Sequence, residues 1–157
     1  MKNFSLIILS IFLLLGNSSC SGLNEKEKAL VGAWSQSLVM AKLYFVMKAD
    51  KTFEAYAQSN LVQGIVIYWK GSWKVEKDQI STNISEGPTL STGLIDAKIG
   101  NLLEQFGIDS EKIAFSAKII KTEKDQLDLS LSGLNVKWTR ADAEKIASLR
   151  KKQADLK

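Results

Sequence analysis

From Gly32 onward most of the chain alternates between two kinds of residue with a period of two. That period puts successive side chains on opposite faces of an extended backbone, so each stretch buries one face only as part of a sheet. The segment at 32–37, GAWSQS, has Trp34 on one face. The next, at 42–49, sets Leu43, Phe45, Met47 and Ala49 against Tyr44, Val46 and Lys48. After a turn at Asp50, residues 52–58 set Phe53, Ala55 and Ala57 against Thr52, Glu54, Tyr56 and Gln58. The longest run, 64–76, places Ile65, Ile67, Trp69, Gly71, Trp73 and Val75 on one face and Val66, Tyr68 and Lys70 on the other. A glycine inside such a run marks a bulge or a bend. Residues 79–85 follow with Ile80, Thr82 and Ile84 inward, and the alternation ends at Glu86-Gly87-Pro88. It resumes at 112–122, where Phe115 faces inward, and at 126–132, with Leu127, Leu129 and Leu131 inward. Ser132-Gly133 is a tight-hairpin signal, and 134–139 adds Leu134, Val136 and Trp138. Seven or eight antiparallel strands joined by hairpins predict a mainly β domain, either an up-and-down barrel or a closed sandwich.

Two segments depart from period two. In 94–107, Ile95, Ile99, Leu102, Leu103 and Phe106 fall on one helical stripe, and Gly107 with Ile108 suits a helix C-cap. This inserted helix must bury its stripe against a barrel mouth or the outside of the sheet. The mouth is the expectation, which would make the helix a cover over any ligand. Residues 141–157 predict a C-terminal helix with a thin apolar stripe of Ile146, Leu149 and Leu156 and a basic second half. Such a basic face is either solvated, with a favourable helix-end charge, or a contact for anionic lipid headgroups.

Several short motifs carry a family resemblance. Gly32 and Trp34 begin the first strand. Asp50 and Phe53 form a hairpin, and Gly71, Trp73, Val75 and Asp78 follow in GSWKVEKD. Together with the ending LNVKWTRAD, these resemble the lipocalin-like domains of small bacterial lipoproteins over about residues 30–141. The resemblance implies an eight-stranded barrel around a small hydrophobic ligand. On that reading Phe45, Met47, Phe53, Ile65, Ile67, Trp69, Trp73 and Phe115 line the ligand space, with Ala55, Ala57 and Gly71 leaving room. The same residues also suit a simply filled core. It implies further that Arg140, after the last strand, stacks on Trp34 at the closed end.

The N-terminus has a separate logic. Lys2, the uncharged apolar run at 5–15 and the small residues before Cys20 are ordered as in a secretory signal peptide. The run is too short to span a bilayer, which takes about 20 residues. Cys20 is the only cysteine, so it forms no internal disulfide. Read from the run alone, residues 1–19 fit an ordinary cleaved signal with a spare thiol, or an uncleaved anchor. Cys20 directly after Ser18-Ser19 resembles the bacterial lipoprotein signal. That resemblance implies a diacylglyceryl cysteine, with acyl chains such as palmitate, as the first mature residue. Two buried chains suffice for stable attachment. Residues 20–30 then read as a lipidated polar tether and 31–157 as the barrel domain. Ser21, rather than aspartate, after the cysteine resembles the sorting signal for the outer membrane, facing the periplasm.

The formal charge of +4 is small and its charges are interspersed, so no nucleic-acid partner is expected. Histidine is absent, which removes the commonest general base and metal ligand. No metal, cofactor or catalytic function is expected. Asp50, Glu54, Glu76 and Asp78 could form a carboxylate pair, but all sit in turns or on the outer face, where solvated charges are ordinary. Two functions remain: a membrane-anchored envelope protein that binds a small hydrophobic ligand, or an envelope interaction module with a filled barrel. Tyr44, Val46, Tyr56, Val66, Tyr68 and Ile120 face outward; exposed together, they would mark a partner site.

Overall fold

The computed structural model describes residues 22–39, 41–60, 66–90 and 116–155. Cys20, Ile65, the helix expected at 94–107, Phe115 and Leu156 lie outside the described residues. Within them, eight strands follow a short helix α1, Glu25–Leu30: β1 Gly32–Ser37, β2 Ala41–Met47, β3 Thr52–Ser59, β4 Val66–Glu76, β5 Gln79–Leu90, β6 Ser116–Thr122, β7 Gln126–Leu131 and β8 Leu134–Arg140. A second helix, α2 at Ala143–Ala154, follows β8. Each strand pairs antiparallel with the next. β1 also pairs with β8, with Trp34 opposite Arg140 and Ser35 opposite Thr139, so the sheet is a closed up-and-down barrel. Closure removes the unpaired edges that a sandwich would keep.

The turns explain the register. Asp50 Oδ1 accepts the Thr52 backbone N–H at 2.9 Å and its hydroxyl at 2.6 Å. Between β7 and β8, Ser132 and Gly133 both have positive φ, 48° and 86°. This is the two-residue turn whose twist matches the flanking strands. β5 runs straight through the 86–88 stretch where the sequence alternation ends. The ladder with β4 slips twice between Tyr68 and Gly71, each time with one residue more on β5. Bulges thus absorb the interruption. Gly71 is required there, because a Cβ would sit 2.0 Å from the Asn83 carbonyl oxygen.

The barrel has an inner and an outer apolar cluster. The inner one contains Trp34, Leu43, Met47, Phe53, Ile67, Trp69, Trp73 and Trp138, with Phe45 packed against it. The outer one contains Tyr44, Val46, Tyr56, Val66 and Tyr68 together with Ile146 and Leu149 of α2. The predicted outer patch therefore exists but is not a free surface: its own C-terminal helix covers it, and only Ile120 of the six stays exposed, at 51%. Arg150 fastens the helix by donating from Nε to Glu54 Oε2 at 2.8 Å, and the Tyr56 hydroxyl donates to the same carboxylate at 3.2 Å. Asp142 caps the first turn of α2 by accepting the Glu144 and Lys145 backbone N–H groups.

Candidate functional site

One end of the barrel is shut by α1. Within the polar segment expected as a tether, residues Glu25–Leu30 form a capped helix. Asn24 Oδ1 accepts the Glu27 N–H at 2.9 Å and Glu27 Oε2 accepts the Asn24 N–H at 3.0 Å, a reciprocal capping box. Leu30 is fully buried in the inner cluster. Glu27 accepts Lys51 Nζ at 3.0 Å from the β2–β3 turn, and Lys26 pairs with Asp78 in the β4–β5 turn. Burial opposes the charge of the Glu27 carboxylate, but the bonds from the Asn24 backbone and Lys51 outweigh it and hold its pKa below the ordinary value. A depressed carboxyl stabilises fully above its unfolded pKa and loses that contribution as pH falls through the folded one. Glu27→Gln is therefore expected to cost about 1–2 kcal/mol at pH 6. The gap to the parent protein should narrow steadily toward pH 3 in urea titrations.

Above α1 lies the Trp34–Arg140 pair. The guanidinium carbon stands 3.8 Å from the Trp34 ring centre. Arg140 also donates from Nη1 to Val31 O at 2.9 Å and from Nε to Lys124 O at 2.8 Å. The Trp34 indole N–H donates to Leu30 O at 2.8 Å. Gly32 makes room: its φ is +131°, and a Cβ there would lie 2.0 Å from Arg140 Nη1. The spacing Gly-x-Trp is thus one device, a glycine beneath the arginine and a tryptophan as its platform. Trp73 serves the same end, its N–H shared between Lys48 O and Thr52 O at 3.1 and 3.0 Å.

Of the predicted lining residues, Met47, Phe53, Ile67, Trp69 and Trp73 are buried on the inner wall. Phe45 stacks on Phe53, ring centres 4.6 Å apart, and stands edge-on to Trp138 at 6.4 Å. It is only half-buried although it sits mid-strand on the inner face of a closed barrel. Ala55 pairs with both Phe45 and Trp69, and Ala57 with both Leu43 and Ile67, so small residues sit between large ones across three strands. Trp138 was not among the predicted lining residues. Its indole N–H is buried and has no hydrogen-bond partner among the described residues. The alternation at 134–139 places it inward, yet no sequence signal distinguishes a paired indole from an orphaned one.

The four acidic candidates do not gather. Asp50 serves its turn, Glu54 takes Lys48 and Arg150, Glu76 takes Lys74 at 2.7 Å, and Asp78 takes Lys26.

Eight strands in up-and-down order close on themselves, and the first-strand tryptophan lies under the arginine that ends the last strand. On that geometry the fold is lipocalin-like. No family model matches the chain, and no curated protein does. Among solved structures, it is similar to a lipocalin-like protein from Bacteroides uniformis ATCC 8492, at 11% identity over 72% of this chain and 99% of that one, TM-score 0.49. It is also similar to an uncharacterized protein from Bacteroides eggerthii DSM 20697, at 14% identity over 71% and 98%, TM-score 0.45. A third, from B. uniformis ATCC 8492 and solved by NMR, shares 16% identity over 74% and 92%, TM-score 0.47.

Proposed function

We propose that this chain is a lipid-anchored protein of the cell envelope whose lipocalin-like barrel binds a small hydrophobic ligand. The observation that carries the ligand reading is Phe45, which keeps accessible surface in the middle of an inner barrel wall. Inner-face residues on four other strands, Ile84, Ile119, Leu131 and Val136, are likewise only partly buried. An eight-stranded barrel can hold one small ligand when its side chains do not fill it, and the inner wall is aromatic and aliphatic. The alternative, an interaction module using the outer face, loses its main support because α2 covers the apolar patch.

The anchor follows from Cys20 and its resemblance to lipoprotein signals. Only three residues separate Cys20 from the cap Asn24, and four extended residues reach about 14 Å at most. A lipid on Cys20 therefore holds the α1 end close to the bilayer and turns the opposite end of the barrel away from it. Ser21 favours the periplasmic side of the outer membrane as the location.

Native mass spectrometry of the detergent-extracted mature protein tests both parts. The expected result is an acylated chain that begins at Cys20 and retains a small apolar molecule. Cys20→Ala should leave an unprocessed precursor without lipid. Normal processing of that variant would reduce the N-terminus to an ordinary signal peptide. A chain that retains no molecule and takes up no fluorescent fatty-acid probe would mean a filled barrel.

A further inference from the structure

The Trp138 indole N–H is the unexplained group of the inner wall. Trp138 is 5% exposed, its N–H has no acceptor among the described residues, and the ring belongs to the cluster that contains Met47, Phe53 and Trp69. A buried donor without a partner is destabilising, and buried indole N–H groups are normally paired. Trp34 and Trp73 show the normal case in this same barrel, each donating to backbone carbonyls at the closed end. Trp138 lies one pleat further from that end on β8, edge-on to the half-buried Phe45. Phe45 and Trp138 thus form one stretch of the inner wall, and a molecule bound inside the barrel along it would meet both rings.

The polarity of the wall narrows the chemistry. One step beyond the paired residues Trp34–Arg140 and Ser35–Thr139, the same two strands carry Gln36 and Trp138. Gln36 pairs with Leu43 and shares its inner face. Both offer neutral donors. Among the described residues, Arg140 is the only charged side chain on an inner-facing strand position, and its guanidinium is occupied by Trp34 and by carbonyls of the closed end. Among those residues a buried carboxylate would find no free cation, and burying an unpaired charge is far costlier than burying a carbonyl.

Resting on the ligand-binding reading above, we propose that the barrel's ligand is an apolar molecule with an uncharged hydrogen-bond acceptor, such as a ketone or ester, which accepts the Trp138 indole N–H. The full chain, with its tryptophans labelled by nitrogen-15, tests this with three ten-carbon probes: 2-decanone, decane and decanoate. The ketone should move the Trp138 indole resonance downfield, whereas decane should not. Trp138→Phe removes the indole contact for every probe, and should weaken 2-decanone about five- to tenfold more than it weakens decane, the effect of one hydrogen bond. Retained binding of decane also shows that the variant is folded. Equal loss of both probes, no loss of either, or decanoate binding tighter than the ketone would overturn the proposal while leaving ligand binding intact. Failure of all three probes to bind the parent chain would overturn both.

Discussion

Arg140→Ala is expected to lower the unfolding free energy by about 3–4 kcal/mol, what a desolvated cation–π contact and charge-assisted bonds to two backbone carbonyls leave after the cost of partly burying the guanidinium. The guanidinium lies 3.8 Å over Trp34 and ties the end of β8 to Val31 and to Lys124 of the β6–β7 turn. Three parts of the closed end thus converge on one side chain. Arg140→Lys should recover little, because an ammonium has neither the plane to stack on the indole nor the fork to reach both carbonyls. Gly32→Ala attacks the same contact from below, since its Cβ would meet Arg140 Nη1 at 2.0 Å and φ is +131°. Alone it should cost about 2–4 kcal/mol. In the Arg140→Ala background it should cost distinctly less, leaving only the backbone strain, because the two residues share one space. Guanidinium chloride titrations of the two single variants and the double one measure this coupling. Strict additivity would show that Gly32 is needed for its backbone conformation alone.

Leu149→Asp is expected to release α2 from the barrel. Ile146 and Leu149 are the two buried residues of that helix. Losing the leucine costs about 2–5 kcal/mol on its own, and a carboxylate placed against the outer cluster adds to that. The eight-stranded ladder does not depend on α2, so the barrel should stay closed while Tyr44, Val46, Tyr56, Val66 and Tyr68 become exposed. Two readouts follow. A contiguous apolar face should bind a hydrophobic dye and promote self-association. The tyrosines should also titrate differently. In the parent protein burial raises the pKa of Tyr44, Tyr56 and Tyr68, and the Glu54 charge adds to the shift at Tyr56 and Tyr68. Phenols raised in this way favour the folded state below their unfolded pKa and lose that contribution as pH rises through the folded value. After release of α2 their ionisation, followed at 295 nm, should move down toward the usual value of about 10. A variant with parental dye binding and parental tyrosine titration would show that α2 is not what covers the patch.

The inner wall and the outer wall were legible to different depths, for a physical reason. Period two is a local property of an extended chain, so it assigns Phe45, Met47, Phe53, Ile67, Trp69 and Trp73 to one face without any knowledge of partners. The motif resemblance added the pairing of Trp34 with Arg140. By itself, then, the sequence determined which residues share a face, where the Asp50 and Ser132-Gly133 turns fall, and that the elements are strands. What lies against each face is a matter of long-range contact. The tyrosines of the outer wall alternate in the same way whether water or a helix covers them, and the thin stripe of Ile146 and Leu149 carries no address. Closure of β1 on β8 brings together residues more than a hundred positions apart. The α1 segment shows the same division. Asn24 and Glu27 spell a capping box that can be read directly, but polar composition hid the fact that Leu30 would be buried and that Lys51 would neutralise Glu27. β5 continues through Glu86-Gly87-Pro88 because bulges against β4 take up the slack, and a bulge is defined only by two strands together. Trp138 marks the limit most clearly. Its inward direction is local, whereas the missing acceptor for its N–H depends on every group the tertiary structure places around it.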